Sequence, residues 1–293
     1  MSKSLGDLGA VVVLGAGVMG HGIGAHFARF SGRVCLYEPA LDAAEAGKKR
    51  AEALLEAGRA RGKLSDEACA AAAARLTVSQ TLPEALEGAT LVIEAAPERL
   101  SLKQSLFAEV EALTSPETLL ASNTSSLSIT EIAASLQYPE RFIGMHFFNP
   151  VPVMKLLELV HGEKTKEETI ARARQIAEQI EKVSILVKDS PGFATSRLGI
   201  ALGNEAARML QEEVASAEDI DRAMVLGYRH PIGPLALGDL VGLDTRLAIS
   251  EYLYERLGHA AFDPPQILRD KVAEGALGRK SGRGFYDYSS QEQ

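Results

Sequence analysis

The chain has 293 residues, of which 46% are hydrophobic and 24% charged, with a formal net charge of −8; this is the balance of a globular protein able to bury one large or two ordinary cores. The acidic excess argues against general affinity for nucleic acid or anionic membranes, so any polyanionic ligand has to be held by local basic groups. Cys35 and Cys69 have no metal or redox spacing, and residues 1–7 carry neither a signal-peptide core nor an Arg-rich transit pattern, so a cytoplasmic protein without a disulfide framework is expected.

In chain order, the apolar run 11–14 has strand length and enters the turn Gly15-Ala16-Gly17-Val18-Met19-Gly20. A helix pattern leaves it (Ile23, Phe27, Phe30), and a short strand, 34–37, delivers Glu38. This is the order of a dinucleotide-binding βαβ unit. Gly15 allows the sharp turn, Gly17 lets the backbone approach a pyrophosphate, and Gly20 lets the helix pack on the strand. The anion is expected at the helix N-terminus. Glu38 stands where a carboxylate accepts bonds from both ribose hydroxyls and repels a 2′-phosphate, and Pro39-Ala40 adds no base; NAD is expected rather than NADP.

Residues 41–63 and 65–74 read as two helices of a hairpin inserted into the sheet, with Ser65 as N-cap. Lys48, Lys49, Arg50, Arg59, Arg61 and Lys63 gather there against Glu52 and Glu56, as a phosphate-binding patch or as a solvated helix face. Strands follow at 76–78, 91–94 and 119–122, with a helix at 100–113. The polar run Ser122-Asn123-Thr124-Ser125-Ser126 sits at the carboxyl end of a strand, where open sheets bind ligands. Its hydroxyls suit a substrate oxygen, while Ser128 and Glu131 suit a capping box.

Apolar runs 142–148 and 155–160 flank Asn149-Pro150-Val151-Pro152, which reads as strand, turn, strand. His146 and Glu158 lie among apolar positions on these strands, and a buried carboxylate is costly unless paired. A His–carboxylate pair supplies a general base for alcohol oxidation; a packed histidine and a solvated glutamate are the bland reading. His21 lies near the glycine turn, and the remaining histidines read as packing or surface residues. A helix at 167–182 and a strand at 184–188 complete the alternation expected of a parallel sheet. From Asp189-Ser190-Pro191-Gly192 onward only helices are expected, including 193–214, 217–225 and 237–257. The expected domains are 1–188 and 189–293, and the apolar content of the second suits a dimer contact.

Several motifs together resemble the L-3-hydroxyacyl-CoA dehydrogenases, particularly the short bacterial 3-hydroxybutyryl-CoA type. They are residues 15–24, Ala121-Ser122-Asn123-Thr124-Ser125-Ser126-Leu127-Ser128-Ile129, the run 146–155, His230-Pro231-Ile232-Gly233-Pro234, Gly242-Leu243-Asp244 and 278–286. The resemblance spans nearly the whole chain. It implies an α/β fold: a Rossmann-like N-terminal domain with an inserted helical hairpin, an all-α dimerising C-terminal domain, and an active site in the cleft between them. It also implies a homodimer that exchanges a hydride between C3 of a (3S)-3-hydroxyacyl-CoA and NAD. His146 then matches the catalytic base, Glu158 its orienting partner and Ser125 the residue holding the C3 oxygen. Glu98, Lys103, Asn149 and Lys280 match cofactor contacts, and Arg61 a CoA contact. One position departs from the pattern: Ser196 stands where the family has an active-site asparagine, and serine lacks the amide's separate donor and acceptor ends. A dehydrogenase of a non-CoA hydroxy acid and an NAD-binding protein with decayed catalysis are the rival readings.

Overall fold

A computed structural model describes residues 8–289; the leader reading at residues 1–7 lies outside them. The chain divides into two compact units between Ser190 and Pro191.

The first unit is built on an eight-stranded sheet in the order β3-β2-β1-β4-β5-β6-β7-β8. Its strands are β1 (Ala10–Leu14), β2 (Arg33–Tyr37), β3 (Leu76–Ser79), β4 (Ala89–Glu94), β5 (Leu119–Ser122), β6 (Phe142–Phe147), β7 (Leu156–His161) and β8 (Val183–Lys188). Every neighbouring pair is parallel except β6 and β7. Val11, Val12, Val13 and Leu14 have no exposed surface, as expected of strands covered on both faces, which read as unbroken apolar runs. β1 pairs with β2 on one side and with β4 on the other. The strand order thus reverses beside β1, and the crevice at the carboxyl ends of β1 and β4 is the place where such sheets bind ligands.

α1 (Val18–Phe27) leaves the glycine turn, and α2 (Leu41–Ala60) and α3 (Asp66–Arg75) form the hairpin between β2 and β3. Ser65 Oγ accepts the Ala68 N–H at the start of α3. α2 lies close to the turn: a Cβ at Gly47 would come within 2.5 Å of Ala16 Cβ. α4 (Leu82–Leu86), α5 (Leu100–Leu113), α6 (Ile129–Ala133) and α7 (Glu167–Gln179) complete the unit. Phe107 of α5 packs edge-on against Phe142 of β6, with ring centroids 4.7 Å apart, a contact worth about 1 kcal/mol beyond its area burial.

The second unit is helical: α8 (Thr195–Gln211), α9 (Ala217–Arg222), α10 (Pro234–Val241), α11 (Leu243–Leu257) and α12 (Gln266–Ala273). The helix expected over 193–214 starts later because Phe193 takes a left-handed φ of 47°. The one expected over 217–225 ends at Arg222 and passes into a π turn, Ala223–Gly227. The one expected over 237–257 is two helices, α10 and α11. They part at Gly242, whose φ of 105° is a conformation that favours glycine. Two sealed carboxylates tie this unit together. Asp221 accepts the N–H groups of Leu235 and Ala236 at the start of α10, and Asp239 accepts those of Phe285 and Tyr286.

Candidate active site

The glycine turn has the shape a dinucleotide requires. Gly15 takes a φ of 102°, and a Cβ there would lie 2.7 Å from the Ala95 carbonyl. A Cβ at Gly20 would fall 1.9 Å from Gly15 O, so only glycine lets α1 pack on the turn. At Gly17 nothing lies within 4 Å of the Cβ position, which leaves the backbone open to approach. Gly17 is the N-cap of α1 and carries no side-chain cap, so the first N–H groups and the helix dipole are available to an anion. Glu38 Oε2 accepts the Ala16 N–H at 3.3 Å and stands half-buried at the end of β2. An open backbone cradle with a carboxylate at its ribose end fits NAD.

The antiparallel step between β6 and β7 sets His146 directly opposite Glu158. His146 Nδ1 donates to Glu158 Oε2 at 2.7 Å. Glu158 is fully buried and His146 is 7% exposed. The carboxylate fixes the proton on Nδ1 and leaves the Nε2 lone pair as the basic atom. Glu158 is therefore buried and paired, where the bland reading had it solvated. Phe148 lies against the imidazole, with ring centroids 4.5 Å apart.

His146 opens on a cavity of about 380 Å³ that it shares with Met19, Glu98, Lys103, Asn123, Ser125 and Asn149, among others. The glycine turn, the ends of β4 and β5 and the end of β6 thus converge at one place. Ser125 is exposed at its rim, and its N–H donates to Glu98 Oε1 at 3.3 Å. Ser128 Oγ accepts the Glu131 N–H as N-cap of α6 and donates to Asp189. Ser125 of the polar run thus lines the cavity, while Ser128, beyond the run, caps a helix.

Three residues to which sequence reasoning gave no role of their own hold this site. Asn123 Oδ1 accepts the Phe147 N–H at 2.9 Å and so pins the end of β5 to β6 beside His146. Lys182 Nζ donates to the carbonyls of Val151 and Met154, at 2.5 and 2.6 Å, and fixes the turn that follows Asn149. Burial, with Arg29 nearby, pushes Lys182 down to about 8. Glu94 ends β4 fully buried, with Lys103 Nζ 2.5 Å from its Oε1. A carboxylate closing the apolar run of β4 was the one available signal for it.

The remaining expected residues stand as follows. Glu98 is held by Lys103 at 3.1 Å and by the Thr124 and Ser126 hydroxyls. Burial raises its carboxyl pKa, but Lys103 and the two hydroxyls outweigh burial and keep it below the usual range. Of the hairpin's basic residues, Arg59 is engaged by Glu56 and Asp66, Arg50 donates to the Ala16 carbonyl, and Lys48 lies 3.9 Å from Glu52. The positive patch is therefore narrower than its composition suggests; Lys49, Arg61 and Lys63 are exposed. In the second unit Lys280 pairs with Asp244 at 2.6 Å, and Ser196 lies in the first turn of α8.

Residues 10–190 match the family model described as "3-hydroxyacyl-CoA dehydrogenase, NAD binding domain", and residues 192–288 match "3-hydroxyacyl-CoA dehydrogenase, C-terminal domain". The chain is 45% identical to a probable 3-hydroxybutyryl-CoA dehydrogenase of Bacillus subtilis, over 97% of this chain and 99% of the relative. It is 41% identical to the 3-hydroxybutyryl-CoA dehydrogenase of Clostridioides difficile, over 95% and 99% of the two chains. The crystal structure of the (S)-3-hydroxybutyryl-CoA dehydrogenase of Ralstonia eutropha superposes with a TM-score of 0.91 at 41% identity, covering 96% of this chain and 99% of that one.

Proposed function

The chain belongs to the 3-hydroxyacyl-CoA dehydrogenase family, and from that premise we propose how its residues carry out the reaction. The enzyme oxidises (3S)-3-hydroxyacyl-CoA to 3-oxoacyl-CoA reversibly, with NAD as cofactor. NAD, when bound, supplies the hydride acceptor. His146 Nε2 takes the proton of the C3 hydroxyl as the C3–H bond gives up its hydride and the carbonyl forms. Glu158 keeps the imidazole in the tautomer that can do this and stabilises the cation that results. Ser125 Oγ holds the C3 oxygen. The turn 15–20 with Glu38 holds the dinucleotide, aided by Glu98, Lys103, Asn149 and Lys280. Arg61, exposed at the end of α2, meets the CoA phosphates, and Ser196 takes the family asparagine's place at the substrate.

The acyl group is short, in keeping with relatives whose names specify 3-hydroxybutyryl-CoA. Residues 1–188 form the NAD-binding domain, and 189–293 form a substrate and dimerisation domain. The enzyme works in the cytoplasm, in fatty-acid metabolism; among the described residues no helix is long and apolar enough to cross a membrane.

The observation that carries this reading is the buried His146–Glu158 pair opening on a cavity shared with the glycine turn and Ser125. NADH consumption with acetoacetyl-CoA, with free acetoacetate as control, tests it. Turnover of the thioester alone is expected. Turnover of the free acid alone would overturn the CoA assignment, and turnover of neither would overturn the catalytic one.

A further inference from the structure

Glu94 is as fully buried as Glu158, and it reaches the cavity wall through Lys103. Both of its oxygens are occupied. Oε1 accepts the Ala96 N–H at 2.6 Å and the Lys103 ammonium at 2.5 Å, and Oε2 accepts the Ser122 hydroxyl at 2.5 Å. Glu94 and Lys103 are 0% and 1% exposed, so this pair is sealed from water. Lys103 also reaches Glu98 Oε2 at 3.1 Å, and the Glu98 side chain, 39% exposed, lines the cavity beside His146.

The cluster holds two carboxylates against one ammonium. Both oxygens of Glu94 are met by donors, so the excess negative charge falls on Glu98, the more exposed of the two carboxylates. Without the Glu94 charge, the Lys103 ammonium, already 3.1 Å from Glu98, would balance Glu98 alone. This matters because the nicotinamide ring is a cation when oxidised and neutral when reduced. Hydride passes between that ring and the carbon whose oxygen meets His146, so the ring has to come to this cavity.

We propose that Glu94 is a positioning residue for charge: by sharing Lys103 it leaves the Glu98 carboxylate only partly compensated at the cavity wall, and so favours binding of oxidised over reduced NAD. The inference rests on the NAD-dependent reading above. Dissociation constants for both forms, from calorimetry for NAD and from ligand fluorescence for NADH, test it without turnover. Glu94→Gln keeps an acceptor for Lys103 but removes the charge, and is expected to lower the ratio of the NADH constant to the NAD constant about tenfold. Glu94→Asp keeps the charge and should keep that ratio even where both constants rise. Equal weakening of the two forms in Glu94→Gln, or an unchanged ratio, overturns the proposal and leaves Glu94 a structural group. If Glu94→Gln does not fold, Glu98→Gln carries the same test, and an unchanged ratio there overturns it equally. Failure of the unaltered enzyme to bind either form would instead overturn the dinucleotide reading.

Discussion

If the buried His146–Glu158 pair is the acid–base unit proposed above, its variants should fail together but unequally. His146→Gln removes the base and is expected to lower kcat about a thousandfold. Glu158→Gln retains the imidazole but exchanges the carboxylate for a neutral amide, with an expected loss of about tenfold to a hundredfold. Steady-state kinetics with acetoacetyl-CoA should show both losses in kcat, with KM little changed; a loss confined to KM would mean that the pair only binds. Ser196 poses a separate question. Its hydroxyl is shorter than the family amide, so Ser196→Asn is expected to raise turnover or move the preferred acyl length. Unchanged turnover and unchanged preference across a series of acyl-CoA lengths would show that position 196 does not touch the chemistry.

Among the elements, the packing of α1 against the end of α7 carries a pH dependence. His26 Nε2 donates to the Ile180 carbonyl at 2.8 Å, and its Nδ1 is buried without a partner, so protonation would add an N–H with nothing to receive it. Burial, then Lys182 and Arg29, against the pull of the Ile180 carbonyl, bring its pKa down from 6.5 to about 3. Between these values the unfolded chain binds a proton that the folded chain refuses. Stability from this source is complete above pH 6.5 and falls as pH drops toward 3. His26→Gln keeps a donor for Ile180 and does not titrate. Urea unfolding at pH 7 and pH 4.5 should therefore show a smaller acid loss in the variant, and equal losses would disprove the assignment. The elements themselves were largely legible in the sequence. The change of period at Gly15–Gly20 marked strand, turn and helix, and the prolines at 150 and 152 marked the reversal that pairs β6 with β7. The pairing of His146 with Glu158 could only be offered as one of two readings, because strand register decides it. Gly242 sat inside an apolar helical pattern, and nothing local announced its left-handed backbone. Glu94 escaped notice because its partners Lys103 and Ser122 come from other elements, so only tertiary packing reveals that its charge is sealed.

For the whole molecule, the helical unit exposes large apolar side chains, among them Leu198, Leu226 and Tyr228, each more than 70% exposed. We propose that a second copy of the chain meets this unit, as isologous contacts commonly do in soluble enzymes. Sedimentation velocity at micromolar concentration is expected to give twice the 31.3 kDa chain mass; a species of one chain mass would refute it. A longer view comes from the single antiparallel step in the sheet. It lets one hairpin carry both members of the acid–base pair, 12 residues apart, whereas the dinucleotide cradle is built from a crossover more than a hundred residues earlier. The His146–Glu158 pair and the glycine turn therefore sit on separate stretches of chain, so a substitution at the end of β2 can reshape the cradle without disturbing the strand register that sets the pair.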